Sequence, residues 1–427
     1  MKLLSISHRG GHKQLAALFA RRALTYEHAI PAARRIIQAV RAAGDASLRR
    51  YATRFDGLSS QSQLLITKEE LSTAWTNAPA NFKRALETAA KNIRTFAERQ
   101  RPKEWDIAPI RGLSVGQRVR PLDAVGCYVP SGRYPLPSTL LMTAIPAQVA
   151  GVQRIVVVSP KPAPETLAAA AMLGITEFYR IGGAQAIAAL AYGTETIASV
   201  DKIVGPGNAY VTAAKKLVAF DCAPLECAID MLAGPTEIVV TSENGNPAWI
   251  AADLVAQAEH DPDAVAIFVT TTATLASAVV AEITRQSRSN PVARESLRRN
   301  GIAIVAQSID EAREITNRLA PEHLTVDTTA DLEWVRNAGS VFVGPYSAQP
   351  LGDYVSGPNH TLPTSGRARV RGGLSVSDFL KIITVQEYQP DSLAKFGPTA
   401  ITLAAAEGLR GHAESIRMRL SQIGGGQ

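Results

Sequence analysis

Four of the seven histidines in the chain lie in its C-terminal half, beside other side chains that bind metals or protons. They are His260, His323, His360 and His412. Imidazole is a common metal ligand, and it is the side chain whose ordinary pKa lies closest to neutral pH. These four histidines are therefore the first candidates for a catalytic or metal-binding centre.

Gln257 and His260 belong to the last turn of a predicted helix that begins at Pro247. Asn246 is a suitable N-cap and Pro is favoured at the first helical position, whereas Pro262 predicts that the helix stops just before it. Residues three apart share a helix face, and the negative end of the helix dipole favours a cation there. A polar C-terminal turn without a ligand explains the same pattern equally well.

Glu322 and His323 stand in LAPEHL, between a predicted helix (IDEAREITNRLA) and a short strand (LTV). The flanking apolar residues predict that the pair is partly buried, and burial shifts pKa values toward catalytic use. The alternative is an ordinary helix-to-strand connection, which Pro321 makes plausible.

The stretch LGDYVSGPNHTLP, residues 351–363, shows neither helical nor strand periodicity, and Gly, Pro and Asn interrupt it. It nevertheless carries Asp353 and His360, two groups that bind metals and protons. Loops also favour such residues for turn formation alone.

Glu407 and His412 occur in the helical segment TLAAAEGLRGHAESI. Residues five apart on an unbroken helix point about 140° away from each other. Gly408 and Gly411 can relax that geometry, or the two side chains contact different parts of one site.

Most of the chain alternates between short Val- and Ile-rich runs and helices of 10 to 14 residues. The first series of predicted strands comprises AVGCYVP, RIVVVSP, EFYRIGG, DKIVG and TEIVVT, and the second comprises AVAIFVTT, GIAIVAQ, HLTVD and SVFVGP. This alternation predicts parallel sheets covered on both faces. The predicted fold class is α/β, with two doubly wound Rossmann-like α/β/α units and helical N- and C-terminal extensions.

Ligands of open parallel sheets bind beyond the carboxyl ends of the strands. Gly182-Gly183 follows one predicted strand, and GPGN, residues 205–208, follows another. GPGN is a broken dinucleotide fingerprint, because Tyr210 occupies the third glycine position. With Asn208 as a helix cap, its free amides can still hold a phosphate, although a plain tight turn accounts for it as well.

The bulk composition limits the class of protein. The chain has 427 residues, 46% hydrophobic and 19% charged, and three cysteines, which favours a soluble protein of a reducing compartment such as the cytoplasm. No apolar run approaches the length of about 18 residues that a membrane helix needs. The net charge of +7 is scattered, without a basic run or an aromatic ladder, so we expect no nucleic acid and no membrane as partner.

Nine long motifs in order along the chain resemble the histidinol dehydrogenase family, from about residue 25 to 415. They are YVPSGRYPLPSTLLMTAIPA, GGAQAIAALAYGT, VGPGNAYV, IDMLAGPTE, DLVAQAEHDP, LAPEHL, LGDYVSGPNHTLPT, RGGLSVSDF and TVQEY. Nine such motifs in one order exclude chance similarity.

The resemblance implies one zinc ion per subunit, NAD as cofactor and L-histidinol as substrate. The implied zinc ligands, which also contact the substrate, are Gln257, His260, Asp353 and His412. Further implied substrate contacts are Thr236, Glu322, His360 and Glu407, and implied NAD contacts are Tyr128, Gln185 and Asn208. Gln is an uncommon zinc ligand, but N and O donors as a set suit zinc.

The implied reaction oxidises L-histidinol to L-histidine through L-histidinal and uses two NAD⁺ in succession, as the last steps of histidine biosynthesis. His323 takes the hydroxyl proton and acts again in the second oxidation, and Glu322 activates the water that hydrates the aldehyde. The resemblance also implies a homodimer in which the C-terminal tail completes the partner's site.

The resulting domain prediction has four parts. Residues 1–25 form an N-terminal helical extension, and residues 26–127 with 238–373 form the first α/β domain, which carries the metal ligands and Glu322-His323. Residues 128–237 form the second α/β domain, which binds NAD, and residues 374–427 form the helical tail. The segment FDCAPLECAIDML, residues 220–232, is predicted to be irregular.

Two other functions are compatible with parts of the sequence. A sister dehydrogenase on the same scaffold would oxidise another small polar alcohol, such as dihydroxypropane sulfonate, with the same metal set and different substrate contacts. A basic nucleotide- or RNA-binding protein would need phosphate contacts and no zinc. His360 and Glu407 both match the histidinol pattern, which favours histidinol.

Overall fold

The computed structural model describes residues 1–6, 13–14, 17, 26–59, 61–131, 134–220 and 227–424. Contacts divide the chain into two compact units. The larger unit comprises residues 1–100 and 122–379, and the smaller one comprises residues 101–121 and the chain from Leu380 onward. Among the described residues, no helix is both long and apolar enough to cross a membrane.

A six-stranded parallel sheet forms one half of the larger unit. Its strands, in spatial order, are β1 (Lys2–Ser5), β11 (Ile302–Val305), β10 (Val265–Thr270), β9 (Glu237–Thr241), β12 (His323–Val326) and β13 (Ser340–Val343). All five residues of β9 are buried, as expected for a central strand covered on both faces.

Helices cover both faces of this sheet because successive strand residues point to opposite sides. Its helices are α8 (Pro247–Ala258), α9 (Ala273–Gln286), α10 (Pro291–Asn300) and α11 (Ile309–Leu319). Ile238 and Val240 pack with α8, α9 and α10, whereas Val239 packs with α11. Asn246 caps α8 through its side chain and Pro247 is the first helical residue, as predicted.

A five-stranded parallel sheet forms the other half of the larger unit. Its strands, in spatial order, are β6 (Glu177–Tyr179), β5 (Arg154–Val158), β4 (Ala124–Tyr128), β7 (Lys202–Val204) and β8 (Ala228–Ile229). Its connecting helices are α4 (Pro137–Ala150), α5 (Pro164–Met172), α6 (Gly183–Tyr192) and α7 (Ala209–Ala219). In β4 to β8, as in β9 to β13, the order is 3-2-1-4-5, the doubly wound arrangement.

Within residues 26–100, three α-helices precede the five-stranded sheet. They are α1 (Ile30–Tyr51), α2 (Lys68–Asn77) and α3 (Ala80–Gln100). A short π-helical segment, Ala52–Asp56, continues α1 and brings the Asp56 carboxyl group to the loop before α6. Helix α1 packs on α6 and α7 in one hydrophobic core.

The smaller unit is built on an antiparallel sheet of β14 (Leu380–Tyr388), β3 (Leu113–Pro121) and β2 (Trp105–Ile110). Helices α13 (Pro390–Ala406) and α14 (Arg410–Gly424) follow and pack against each other. The segment from residue 374 was predicted to be helical, and it begins instead with 3₁₀ residues and strand β14, because β14 finds a pairing partner about 265 residues earlier in the chain.

The predicted fold class, mixed α/β with two parallel sheets, is confirmed. The predicted helical extension over residues 1–25 lies largely outside the described residues, and its first described part, Lys2–Ser5, is a strand that pairs with β11. The four domain boundaries stay predictions, although β4 lies wholly in the five-stranded sheet and so crosses the predicted limit at residue 128. Residues 221–226 of the predicted irregular segment lie outside the described residues.

Candidate active site

A cavity of about 510 Å³ lies between the two parallel sheets of the larger unit. It adjoins the carboxyl ends of β4, β7 and β8 but the amino ends of β9, β10 and β12. Eight predicted site residues line it: Asn208, Thr236, Gln257, His260, Glu322, His323, Asp353 and His360. The expectation that sites follow strands therefore holds for the five-stranded sheet and is wrong for the six-stranded one.

The Glu322-His323 pair lies at the start of β12, just after α11 ends. Ala320 terminates α11 in the left-handed conformation, with φ of 44°, and so turns the chain back toward the sheet. Both acid and imidazole are buried, more completely than the partial burial that was predicted. The Glu322 Oε2 atom accepts hydrogen bonds from Thr236 Oγ1 at 2.6 Å and from the Glu237 amide at 2.8 Å.

His323 is held between two carboxyl groups. Its Nδ1 lies 3.2 Å from the Glu237 carbonyl oxygen, to which it donates, and 3.7 Å from Glu322 Oε2. Its Nε2 lies 3.7 Å from Asp353 Oδ1. The imidazole ring is thus fixed in orientation, with Nε2 directed toward Asp353.

Burial and these neighbours shift the pKa values of the pair. Burial raises the pKa of Glu322 to about 7, against the opposing effect of His323 and the two hydrogen bonds. Burial by itself lowers the pKa of His323, but Glu322 and Asp353 together raise it to about 9. Glu322 therefore exchanges its proton near neutral pH, whereas His323 keeps its second proton until the pH approaches 9.

Gln257 projects from the end of α8 into the same cavity. Its side chain is 1% exposed, and its Nε2 donates a short hydrogen bond to Thr236 Oγ1. Its Oε1 atom is buried and has no hydrogen-bond partner among the described residues. A buried amide oxygen without a partner costs free energy, so this atom is a candidate ligand atom.

His260 lies two residues beyond the end of α8, which stops at Ala258 rather than next to Pro262. The His260 amide donates to the Gln257 carbonyl oxygen at 3.4 Å, so the chain continues the helical turn for a short distance. Both side chains nevertheless line the cavity, as their spacing predicts.

Asp353 lies on a short helix, α12 (Pro350–Tyr354), where the sequence predicted an irregular loop. His360 folds back on it, and its Nδ1 donates to the Asp353 carbonyl oxygen at 2.9 Å. The Asp353 carboxyl group also accepts from Gln349 Nε2 at 3.0 Å. Burial raises the pKa of Asp353, but its contacts with His323 and His360 outweigh this and keep the pKa below its ordinary value.

The three predicted NAD contacts lie in two places. Asn208 lines the cavity and caps α7, because its Oδ1 accepts from the Tyr210 and Val211 amides at 3.0 and 3.1 Å. Tyr128 and Gln185 do not line this cavity. They meet at the Gly182-Gly183 loop, where the Tyr128 hydroxyl accepts from the Gly183 amide at 3.1 Å.

Two functional candidates escaped the sequence analysis. The Asp56 carboxylate accepts from the Gly182 amide at 3.0 Å and from Gln185 Nε2 at 3.1 Å, and so fixes that loop. Thr139 Oγ1 lies 3.5 Å from His360 Nε2. Thr139 belongs to the first family motif, but no local spacing distinguishes either residue from an ordinary polar residue, since their partners are more than 100 residues away.

Glu407 and His412 lie in the smaller unit, and both are exposed. Glu407 caps the end of α13, and Gly408, with φ of 75°, breaks the helix before α14 begins at Arg410. The predicted relaxation of the helical geometry at Gly408 is thus observed.

Three of the four predicted metal ligands are therefore gathered in one cavity of the larger unit. Within the described residues, no three His, Cys, Asp or Glu side chains converge as a metal site. The cavity supplies His260, Asp353 and the amide oxygen of Gln257, a mixed N and O donor set that fits a divalent ion with a fourth ligand still to be supplied.

Comparison with known proteins identifies the family. The family model described as histidinol dehydrogenase matches residues 19–420. Histidinol dehydrogenase of Gluconobacter oxydans is 44% identical over 434 residues, which cover 99% of this chain and 100% of the relative. That of Geobacillus kaustophilus is 47% identical over 399 residues, which cover 91% of this chain and 93% of the relative.

The solved structure of histidinol dehydrogenase from Elizabethkingia anophelis superposes with a TM-score of 0.92 at 33% identity and covers 99% of both chains. The family match, the identities and the shared fold all extend over nearly the whole sequence, so the chain belongs to the histidinol dehydrogenase family.

Proposed function

We propose that this protein oxidises L-histidinol to L-histidine through L-histidinal in histidine biosynthesis, with two NAD⁺ consumed per turnover and one zinc ion per subunit. The family membership supports the class of reaction. The observation that carries the proposal is the cavity in which a buried Glu-His pair faces Gln257, His260 and Asp353.

His323 acts as the proton acceptor for the substrate hydroxyl group in the first oxidation. Its Nδ1 hydrogen bond to the Glu237 carbonyl holds the ring, so that Nε2 faces the cavity. An imidazole fixed in this way is suited to take a proton from a substrate in front of it once Nε2 is deprotonated, which the raised pKa of His323 favours at alkaline pH. NAD⁺, when bound, supplies the two-electron acceptor for each oxidation.

Glu322 acts in the second oxidation, where histidinal must first be hydrated. Thr236 and the Glu237 amide both donate to Oε2, and these two bonds orient the carboxyl group. Because burial raises its pKa to about 7, this carboxylate is a stronger base toward water than an exposed glutamate. His323 then takes the hydroxyl proton of the hydrate.

Gln257, His260, Asp353 and His412 would hold the zinc ion. The buried, unpartnered Oε1 atom of Gln257 supports this assignment, because a ligated metal would satisfy it. Zinc, when bound, would supply a positive centre that orients the amino and imidazole nitrogens of the substrate. Thr236 and His360 complete the substrate-binding wall on the same unit.

Glu407 and His412 would reach the site of a neighbouring chain in a homodimer. They lie exposed on the smaller unit, and the larger unit offers only three of the four proposed zinc ligands. Tyr128, Gln185 and Asn208 would contact NAD, since Tyr128 ends β4 while Gln185 and Asn208 follow β6 and β7 at the ligand-binding edge of the five-stranded sheet. The cytoplasm as the compartment follows from the low cysteine content.

The stoichiometry of the reaction tests this function. L-histidinol is supplied in limiting amount with excess NAD⁺, and NADH, histidinal and histidine are quantified after completion. The expected result is two NADH per histidinol, loss of activity after chelation and recovery with zinc. One NADH per substrate would indicate a simple alcohol dehydrogenase, and no reaction with histidinol would favour a sister enzyme.

A further inference from the structure

A buried ion pair lies at the wall of the cavity, which Asp230 helps to line, and it belongs to none of the roles above. Lys215 on α7 and Asp230 after β8 are 2% and 4% exposed, and their side chains form a short charged hydrogen bond. Both charges are thus removed from water within the five-stranded half of the larger unit.

The two side chains of the pair bind the backbone of Gly205, one at its amide and the other at its carbonyl oxygen. The Gly205 amide donates to Asp230 Oδ2 at 2.7 Å, and its carbonyl oxygen accepts from Lys215 Nζ at 2.9 Å. Gly205 follows β7 directly and opens the GPGN turn that ends in Asn208. The turn therefore begins at a residue clamped between two opposite charges.

Both the backbone conformation of Gly205 and its close packing require glycine at this position. Its φ of 110° lies in a region that residues with a Cβ rarely adopt, and an added Cβ would overlap the Tyr128 carbonyl oxygen. The clamp and the contact with β4 together specify one conformation of the turn, from which Asn208 starts α7.

The same pair also holds a second segment of the cavity wall, residues 230–236. Asp230 Oδ1 accepts from the Met231 amide, and α7 adds a bond from Thr212 Oγ1 to the Ala233 carbonyl at 3.1 Å. This segment continues to Thr236, which donates to Glu322. One ion pair thus links the proposed NAD-binding turn to the proposed substrate-binding segment.

Stability alone does not explain this arrangement. Burial of two charges carries a desolvation penalty that their mutual attraction offsets only in part. Apolar residues of similar size often replace such pairs without loss of stability. A buried pair that binds specific peptide groups instead selects one backbone conformation among several.

We propose that Lys215 and Asp230 are positioning residues that lock the Gly205–Asn208 turn in the conformation that binds NAD and join it to the Asp230–Thr236 segment. This inference rests on the proposed NAD-linked function. It assigns to neither residue a contact with substrate or cofactor.

The test compares NADH binding of the wild-type protein with that of the variants Lys215→Met and Lys215→Met/Asp230→Asn. The double variant avoids an uncompensated buried carboxylate, and its Asn can still accept from the Gly205 amide. Lys202→Met is the matched control, because Lys202 on β7 forms a partly buried pair with Asp378 that does not touch the turn.

The expected result is a dissociation constant for NADH, measured by fluorescence titration, that rises about 10- to 100-fold in both Lys215 variants, as for a misplaced binding group. Zinc content should stay at the wild-type value and the KM for NAD⁺ should rise more than the KM for histidinol. Folded Lys215 variants with NADH affinity within about twofold of wild type, or an equal loss in Lys202→Met, would overturn the proposal.

Amide hydrogen exchange of the wild-type protein, measured with and without NADH, tests the link between the two segments even if the variants do not fold. The amides of Gly205 and Met231 should gain protection together when NADH is added, because one ion pair holds both. Protection of the turn without the Asp230–Thr236 segment contradicts the link. Wild-type protein that binds no NADH at all contradicts the proposed function itself.

Discussion

His323 and Glu322 are adjacent in sequence but make different contacts, and this difference predicts different kinetic defects. His323→Ala should slow the oxidation of both histidinol and histidinal by about 10²- to 10⁴-fold, because one base serves both steps. Glu322→Gln should slow mainly the histidinal step, since the alcohol step keeps its base. Steady-state rates with each substrate supplied separately measure the two effects.

The glutamine at position 322 can still accept the hydrogen bonds from Thr236 and the Glu237 amide through its carbonyl oxygen. The variant therefore removes the charge and leaves the packing in place. Glu322→Gln that oxidises histidinal at the wild-type rate shows that this residue does not activate water.

Asp253, one turn before Gln257 on α8, makes the stability of the protein depend on pH. Burial raises the pKa of its carboxyl group from 3.8 to about 6, although it accepts the Gln349 amide. The folded state therefore favours the protonated carboxyl group. The resulting contribution to the free energy of unfolding is fully present below pH 3.8 and is lost as the pH rises through about 6.

We therefore expect Asp253→Asn to be more stable than the wild type by about 1–2 kcal/mol near pH 8, after allowance for partial exposure of the side chain, and no more stable near pH 4. Urea unfolding at both pH values measures the difference. The control Asp310→Asn, at a side chain 88% exposed, should show no such gain with pH. A gain for Asp253→Asn that is equal at both pH values contradicts the assignment.

At the scale of elements, the connection between α12 and His360 depends on one glycine packed against α3. Gly357 has φ of 106°, and an added Cβ would lie 2.9 Å from the backbone carbonyl oxygen of Asn92. The side-chain amide of Asn92 donates to the Val355 carbonyl oxygen. Gly174 also has positive φ, of 69°, but an added Cβ there meets nothing within 4 Å. The two glycines separate backbone strain from steric overlap.

Gly174→Ala should therefore cost about 1–2 kcal/mol of unfolding free energy and leave activity unchanged. Gly357→Ala should lower the unfolding free energy by more than this. It should also lower kcat/KM for histidinol, because the loop that must shift connects Asp353 to His360. Chemical denaturation and steady-state kinetics of both variants provide the comparison. Equal stability and full activity in both would mean that α3 does not position this loop.

At the scale of the whole molecule, the proposed homodimer predicts complementation between two inactive variants. His323→Ala damages the site of the larger unit, and His412→Ala damages the tail lent to the partner. In a mixed dimer, one site carries both defects and the other carries neither. Random re-pairing makes half of the dimers mixed, so activity should recover to about a quarter of wild type.

Light scattering and subunit exchange with a labelled chain provide the controls for this experiment. If the folded variants form dimers and exchange subunits but the mixture stays inactive, each chain must complete its own site and the shared-site proposal is wrong.

Local features of the sequence were sufficient to predict many elements and several of the polar residues that line the cavity. Asn246 and Asn208 are helix caps because their short side chains accept from the first free amides, a property of a few neighbouring residues. The Val-rich runs became buried parallel strands for an equally local reason. The resemblance to a family added the residue roles, which neither spacing nor periodicity contains.

Only the tertiary structure decided which edge of each sheet carries the site. Glu322-His323 lies at the amino end of β12 and GPGN follows the carboxyl end of β7, and both line one cavity because opposite ends of the strands of the two sheets meet there. Asp56 binds a loop that lies more than 120 residues later in the chain. Lys215 and Asp230 pair because the packing of the five-stranded half buries both side chains together. Strand β1 likewise forms only beside β11, since a four-residue segment has no pairing partner until the chain returns 300 residues later.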